Sequence, residues 1–266
     1  MPSLAETDGS DGDGTQFGYR RDGLEIPSEP QLVVSRLDAL EEHASLLPKP
    51  PRELTAREPL SDAVAAAVSV ADASTFAFVG GARAFAGVDA TRARDVLAER
   101  GEPVAEAPAG VFEGEEWAAA AFDDAVVTAA APRVGSRQAR RQYVAAVRAA
   151  AVGDGERLLS GSPPAKRVVD ALPAGQYVAV SPRLSAVSFR SEAFGASVRG
   201  DRTVLARARL AASHVDPSKR NARVDAVESW DDRLAPDGDV GDLTVRKRDR
   251  LVRVTGVVDT ADVEFA

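Results

Sequence analysis

Three pairs of β-prone runs, each pair joined by two or three turn-forming residues, constrain this chain more than any other feature. Residues 118–122 and 125–130 flank Asp123-Asp124, residues 193–199 and 203–211 flank Gly200-Asp201, and residues 243–247 and 251–257 flank Arg248, Asp249 and Arg250. Runs spaced so closely fold back antiparallel, because a parallel crossover needs about a dozen residues or more. The many alanines of the first pair weaken its β signal.

Helical periodicity fills the intervals. After the short run Leu32, Val33 and Val34, apolar residues recur at Leu37, Leu40, Ala44 and Leu47, which reads as strand then helix or, with Val33, as one longer helix. Pro48, Pro50 and Pro51 stop it in either case. A helix is expected over 60–71 behind Pro59, and a buried strand over 75–79. Asp89 caps the next helix, Val88 and Ala93 can form a hydrophobic staple, and Gly101 follows its last turn at Arg100. Ser136 caps a helix over 137–152 with Ala139, Tyr143, Ala146, Val147 and Ala150 as its apolar stripe. A short helix over 164–172 leads to a strand over 176–180, and Asp216-Pro217 opens a helix carrying Val224, Val227, Trp230 and Leu234.

Adjacent strand pairs interleaved with helices predict an α+β fold with antiparallel sheets. The expected division is an acidic disordered tail over 1–30, a first half over 31–182 and a second over 183–266 packed on it. A 77-residue shift lays Trp117 on Phe194, Asp124 on Asp201 and Val127 on Val204, as an internal duplication would. The competing class is α/β, since 75–100 also reads as the strand, loop and helix of a doubly wound sheet.

The 266 residues carry 33 basic and 41 acidic side chains, a formal net charge of -8 at pH 7. Of the basic residues only Lys49, Lys166, Lys219 and Lys247 are lysines. Abundant Asp and Glu, scarce Lys, one Met and no Cys match the proteins of extreme halophiles, whose surface acids keep them soluble in concentrated salt. An acidic balance also argues against general nucleic-acid binding. The sequence has no apolar run of about 18 residues and no basic-then-apolar leader, so a cytoplasmic protein is expected, or an extracytoplasmic or membrane-associated one if the native start lies upstream of Met1.

Without cysteine there is no disulfide, thiolate metal site or thiol nucleophile. The Asp8-Gly9-Ser10-Asp11-Gly12-Asp13-Gly14 run lacks the Gly and acid spacing of an EF-hand, and His43 and His214 alone do not make a metal site, so neither metal nor cofactor is expected. His43 reads as a surface residue, and His214 is little better placed as a general base. The acid pairs Glu115-Glu116, Asp123-Asp124 and Asp231-Asp232 read as solvated turn or helix residues. Dinucleotide, P-loop and serine-elbow motifs are all missing. The glycine-rich stretch over 80–87, with Gly80, Gly81 and Arg83, is the one candidate seat for an anion at a helix start. Arg133, Arg137, Arg140, Arg141 and Arg148 read as the one basic cluster, with Arg137, Arg141 and Arg148 on a shared helix face able to meet an acidic partner. Trp117 and Trp230 read as core anchors.

The Leu37-Asp38-Ala39-Leu40 helix after a strand, the Asp89 helix ending in Leu97 and Gly101, the Phe122-Asp123-Asp124 turn before Val126-Val127, and a helix ending in Gly153-Asp154-Gly155 run together through the first half. This succession resembles uncharacterised haloarchaeal proteins that are often exported and lipid-anchored. The resemblance implies no catalytic residues, and the chain departs from that pattern in lacking a lipobox cysteine and a signal sequence. The function expected is that of a non-enzymatic structural or partner-binding protein of a halophile, its partner an unidentified protein. The alternative is an enzyme or ligand-binding domain for an anionic small molecule at the 80–87 stretch.

Overall fold

The structure, a computed structural model, describes residues 32–51, 60–68, 73–105, 110–131, 133–181, 189–212 and 239–265. The acidic 1–30 segment, the residues around His214 and the expected helix with Trp230 lie outside them. The described residues fall into two compact units. One, here the helix-flanked unit, holds residues 32–38 and 60–161; the other, the hairpin unit, holds residues 39–51 and 162–265. Helices and antiparallel strands in both give the α+β class.

In the helix-flanked unit, β1 (Leu32–Arg36) runs straight into the five-residue α1 (Leu37–Glu41), so the reading of strand then helix holds and the single long helix does not form. α2 (Asp62–Ala67) is capped by Ser61, and β2 (Thr75–Val79) forms where expected. The next segment departs from expectation: Ala82–Ala86 is a strand, β3, paired along its whole length with β2. Gly80 and Gly81 are thus a hairpin turn, which removes the strand, loop and helix on which the α/β alternative rested. Alanine's weak β propensity hid a strand that Phe85 fixes by packing its ring 5.4 Å from that of Phe76. α3 (Ala90–Arg100) follows, its Arg92 amide bonded to the Asp89 carboxylate, with Val88 and Ala93 both buried as a staple requires.

β4 (Glu102–Pro103), β5 (Val111–Glu113), β6 (Trp117–Phe122) and β7 (Ala125–Ala130) complete the strands in the order β1-β2-β3-β7-β6-β5-β4, antiparallel throughout. One sheet face carries Phe76, Phe85, Val126, Trp117, Ala119 and Ala121 into a core with Val64 of α2 and Leu97 of α3. Alternation sends Ala118, Ala120, Val127 and Ala129 to the other face. Their small side chains let α4 (Arg137–Val152) lie close over β6 and β7. α4 has the expected ends, the Ser136 cap and a left-handed Gly153, but its buried stripe is Arg140, Val144, Val147 and Ala150. That stripe is rotated from the expected one, leaving Ala139, Tyr143 and Ala146 half-buried. α5 (Leu158–Gly161) ends the unit.

In the hairpin unit, α6 (Pro163–Val169) precedes β8 (Tyr177–Ser181), β9 (Phe189–Arg199), β10 (Arg202–Ala211), β11 (Gly241–Arg248) and β12 (Leu251–Asp259). The strands run β8-β9-β10-β12-β11, again antiparallel, and α6 packs on β8, β9 and β10. Gly195 is what lets Leu172 close onto β9, since a Cβ there would meet the Leu172 side chain at 3.2 Å.

Four hairpins share one design. Gly80-Gly81, Asp123-Asp124, Gly200-Asp201 and Asp249-Arg250 each join two strands, and the first residue of each takes a positive φ, between 47° and 66°. Such turns match the twist of the strands they connect. The 77-residue shift carries the pair Trp117 and Ala130 onto Phe194 and Arg207. Any two hairpins with two-residue turns give that correspondence, and the helix needed to complete the repeat lies outside the described residues.

Candidate functional site

The residues singled out as an anion seat are part of the hairpin just described. Gly81 lies beneath Val134 and Tyr143, which a Cβ would meet at 2.4 and 3.2 Å, so protein side chains already cover the turn. Burial there pushes the Tyr143 hydroxyl above its ordinary value. Arg83 is half-buried and already engaged within the chain.

The arginines of α4 are drawn together by a residue the sequence reading passed over. Glu113, on β5, points its carboxylate under α4 and is 4% exposed in its side chain, while Arg137 and Arg141 remain 48% and 39% exposed. Arg141 grips both carboxylate oxygens through Nε and Nη2, and Arg137 Nη2 lies 2.7 Å from Oε1. The Arg141 hydrogen bonds, opposed by burial and supported by Arg137, hold the Glu113 carboxyl below its ordinary range. Arg140 is buried and donates to three carbonyls, those of Val134 (2.9 Å), Gly135 (3.2 Å) and Glu115 (2.7 Å). Arg148 stands apart with its guanidinium 5.6 Å from the Phe122 ring centre, and Arg133 sits 4.5 Å over Phe78. Of the proposed contact face, then, two members neutralise a buried acid and the third covers an aromatic ring. A second buried acid is treated alike, with Glu192 on β9 accepting from Arg207 and, at 2.7 Å, from Arg209 Nε. Glu115, Glu116, Asp123 and Asp124 are exposed, as solvated turn acids should be, and His43 is half-exposed before a 3-10 turn at Ala44–Leu46.

A more concentrated basic surface lies in the hairpin unit. The β11-β12 tip and the end of α6 enclose an open groove of about 630 Å³. Its lining includes Arg167, Arg246, Lys247, Arg248 and Arg253, against the acids Asp170 and Asp249. Both acids have partners: Lys166 Nζ reaches Asp170 at 2.9 Å, and Arg167 Nη2 lies 3.3 Å from Asp249. Arg253 donates to the Ala171 carbonyl at 3.0 Å, which aims it at the end of α6. Arg246 and Arg248 are exposed, and no carboxylate among the described residues pairs with either.

Register makes the arrangement more pointed. Arg246 stands directly opposite Arg253 on the two strands, so both side chains leave the same sheet face, and Arg248 follows two positions along. Like charges facing each other across a ladder destabilise it, by several tenths of a kcal/mol in ordinary sheets. The next residue but one in the turn, Arg250, has a guanidinium nitrogen buried without a hydrogen-bond partner among the described residues. Reading α4 as the only basic cluster was therefore wrong. The signal for the second was present in the sequence, where Arg246, Lys247, Arg248, Arg250 and Arg253 crowd eight positions.

Among the described residues no three His, Asp or Glu side chains gather as metal ligands, and no helix is long and apolar enough to cross a membrane. No protein-family model and no curated protein matches the chain. Among solved structures it is similar to crystal form III of TP0453, with a TM-score of 0.48, 9% identity, and 95% of this chain covering 96% of that one. Crystal form IV gives a TM-score of 0.46 at 8% identity, covering 94% of each chain.

Proposed function

We propose that this chain is a non-enzymatic binding protein that receives an anionic partner in the groove between α6 and the β11-β12 hairpin. The observation that carries the reading is the face-to-face placement of Arg246 and Arg253, beside Arg248, in a chain whose formal net charge is -8. Such a local conflict is relieved when a carboxylate or phosphate sits between the guanidinium groups and accepts from both. Arginine suits this role better than lysine, because its planar fork binds such anions with two parallel hydrogen bonds.

The composition fits a salt-adapted protein, and that sharpens the chemistry. At molar salt the screening length falls to about 3 Å, so long-range attraction vanishes and only contact pairs keep their strength. A partner held there needs bidentate hydrogen bonds to adjacent arginines, not diffuse charge. The test is titration with a labelled hexaglutamate peptide and its hexaglutamine counterpart. The chain should bind the acidic peptide alone, and R246Q/R248Q should weaken it about tenfold or more. Equal binding of both peptides, or unchanged affinity in the variant, would remove the groove from consideration.

A further inference from the structure

Resting on that reading of the groove, we infer that the anionic partner is an extended peptide segment, alternately acidic and apolar or β-branched, that adds as a strand to the open edge of β11. β11 ends the strand order, with β12 its one strand neighbour among the described residues. An edge strand turns every second amide and carbonyl outward, a template on which another chain can pair.

Natural edges are usually blunted; here a bulge blunts one end of the strand, while the exposed Arg246, Lys247 and Arg248 along the rest repel a second basic edge and admit an acidic one. Between Gly241 and Thr244 two residues of β11, Asp242 and Leu243, oppose the single Gly256 of β12, a bulge in which Asp242 takes a φ of 52°. From Thr244 to Arg248 the register is regular. At the end of the strand order in the helix-flanked unit, β4 is only two residues long and includes Pro103, devices that the 244–248 stretch of β11 does not use.

The two faces of β11 specify the pattern of the incoming strand. Arg246 and Arg248 face the groove and Thr244 shares their sheet face, whereas Leu243 leans over Gly256 on the other face, its Cδ2 3.2 Å from where a Cβ on that glycine would stand. Leu243 is left 47% exposed, and Val245 beside it is half-exposed. A strand laid alongside continues both faces. Its groove-side residues meet Arg246 and Arg248, and its alternate residues lie beside Leu243, Val245 and Lys247. Side-chain period two therefore favours acid at every second position, and a slip by one residue would take the acids from the two arginines to the face of Leu243 and Val245, where Lys247 is the one cation of β11.

The test uses an eight-residue peptide alternating glutamate with valine or threonine, a permuted peptide with its four glutamates contiguous, and two copies of the first N-methylated on the odd or the even residues. Affinity is measured for the full chain and for R246Q/R248Q. Strand addition predicts that the alternating peptide binds at least tenfold better than the permuted one. It also predicts that one methylated copy binds within about twofold of the parent while the other loses tenfold or more, since only alternate amides of an edge-added strand bond inward. Equal affinity of the two methylated copies, with binding still lost in R246Q/R248Q, would overturn strand addition and leave the groove as an anion seat. Binding indifferent to R246Q/R248Q, or no binding by any acidic peptide, would overturn both.

Discussion

Glu113 offers the sharpest test of how this fold handles buried charge. Its carboxylate is nearly excluded from solvent while its partners Arg137 and Arg141 are more than a third exposed. Removing the acid and removing the bases should therefore have unequal effects. In E113Q both arginines can turn to water, and the loss is confined to solvent-screened charge-assisted hydrogen bonds, about 1–2 kcal/mol. In R137Q/R141Q the carboxylate stays under α4 without a counter-charge, which costs about 3–5 kcal/mol unless it takes up a proton. Adding E113Q to the arginine double variant should then restore about 2 kcal/mol. Urea unfolding can follow this through the fluorescence of Trp117, which packs in the core on the opposite face of the same sheet, in a W230F background that silences the chain's second tryptophan.

The pH dependence gives a second readout of opposite sign in the two proteins. In the wild type the folded-state pKa of Glu113 is lowered, so its contribution is fully present above the unfolded value of about 4.3 and is lost as pH falls through the folded value. In R137Q/R141Q only desolvation remains, the folded pKa rises above the unfolded one, and the variant recovers stability relative to wild type as pH falls. Equal losses in E113Q and R137Q/R141Q at pH 7, with no recovery in the combined variant, would refute a buried carboxylate held by arginine.

Local features give further expectations. S136A removes the acceptor for the Ala139 amide at the start of α4 and should cost about 1 kcal/mol in the same urea assay, with S136D close to wild type. G114A would place a methyl group 2.3 Å from Trp117 Nε1; overpacking of that kind costs about 1–3 kcal/mol and should alter the tryptophan emission, and an unchanged spectrum with unchanged midpoint would count against the packing described. D123V puts a β-branched side chain at a φ of 47° and should lower the thermal midpoint, whereas D123G should not.

Much of the fold was legible where local chemistry and pattern agree. Asp123-Asp124 and Gly200-Asp201 announced their hairpins because strands joined by two residues have few alternatives, and Ser136 with Gly153 bracketed α4 because caps satisfy backbone groups that nothing else reaches. β3 was lost because alanine and a glycine pair look like loop until Phe85 is seen packing on Phe76. The rotation of α4 had a different origin. Periodicity counts Arg140 as polar and turns it outward, but three carbonyls solvate its guanidinium inside. The Glu113 cluster was invisible for a related reason, since nothing local distinguishes one glutamate from its exposed neighbours Glu115 and Glu116. The groove was partly visible as a run of charge, yet only the register places Arg246 opposite Arg253.

Charge reversal tests the groove most directly. R246E/R248E should release hexaglutamate and acquire affinity for hexalysine, measured by the anisotropy of labelled peptides at two salt concentrations, while its urea midpoint stays within about 0.5 kcal/mol of wild type because both side chains are exposed. Inverted preference in a folded chain is the predicted result. A variant that still binds hexaglutamate as the wild type does would contradict the assignment of this groove as the anionic partner's seat.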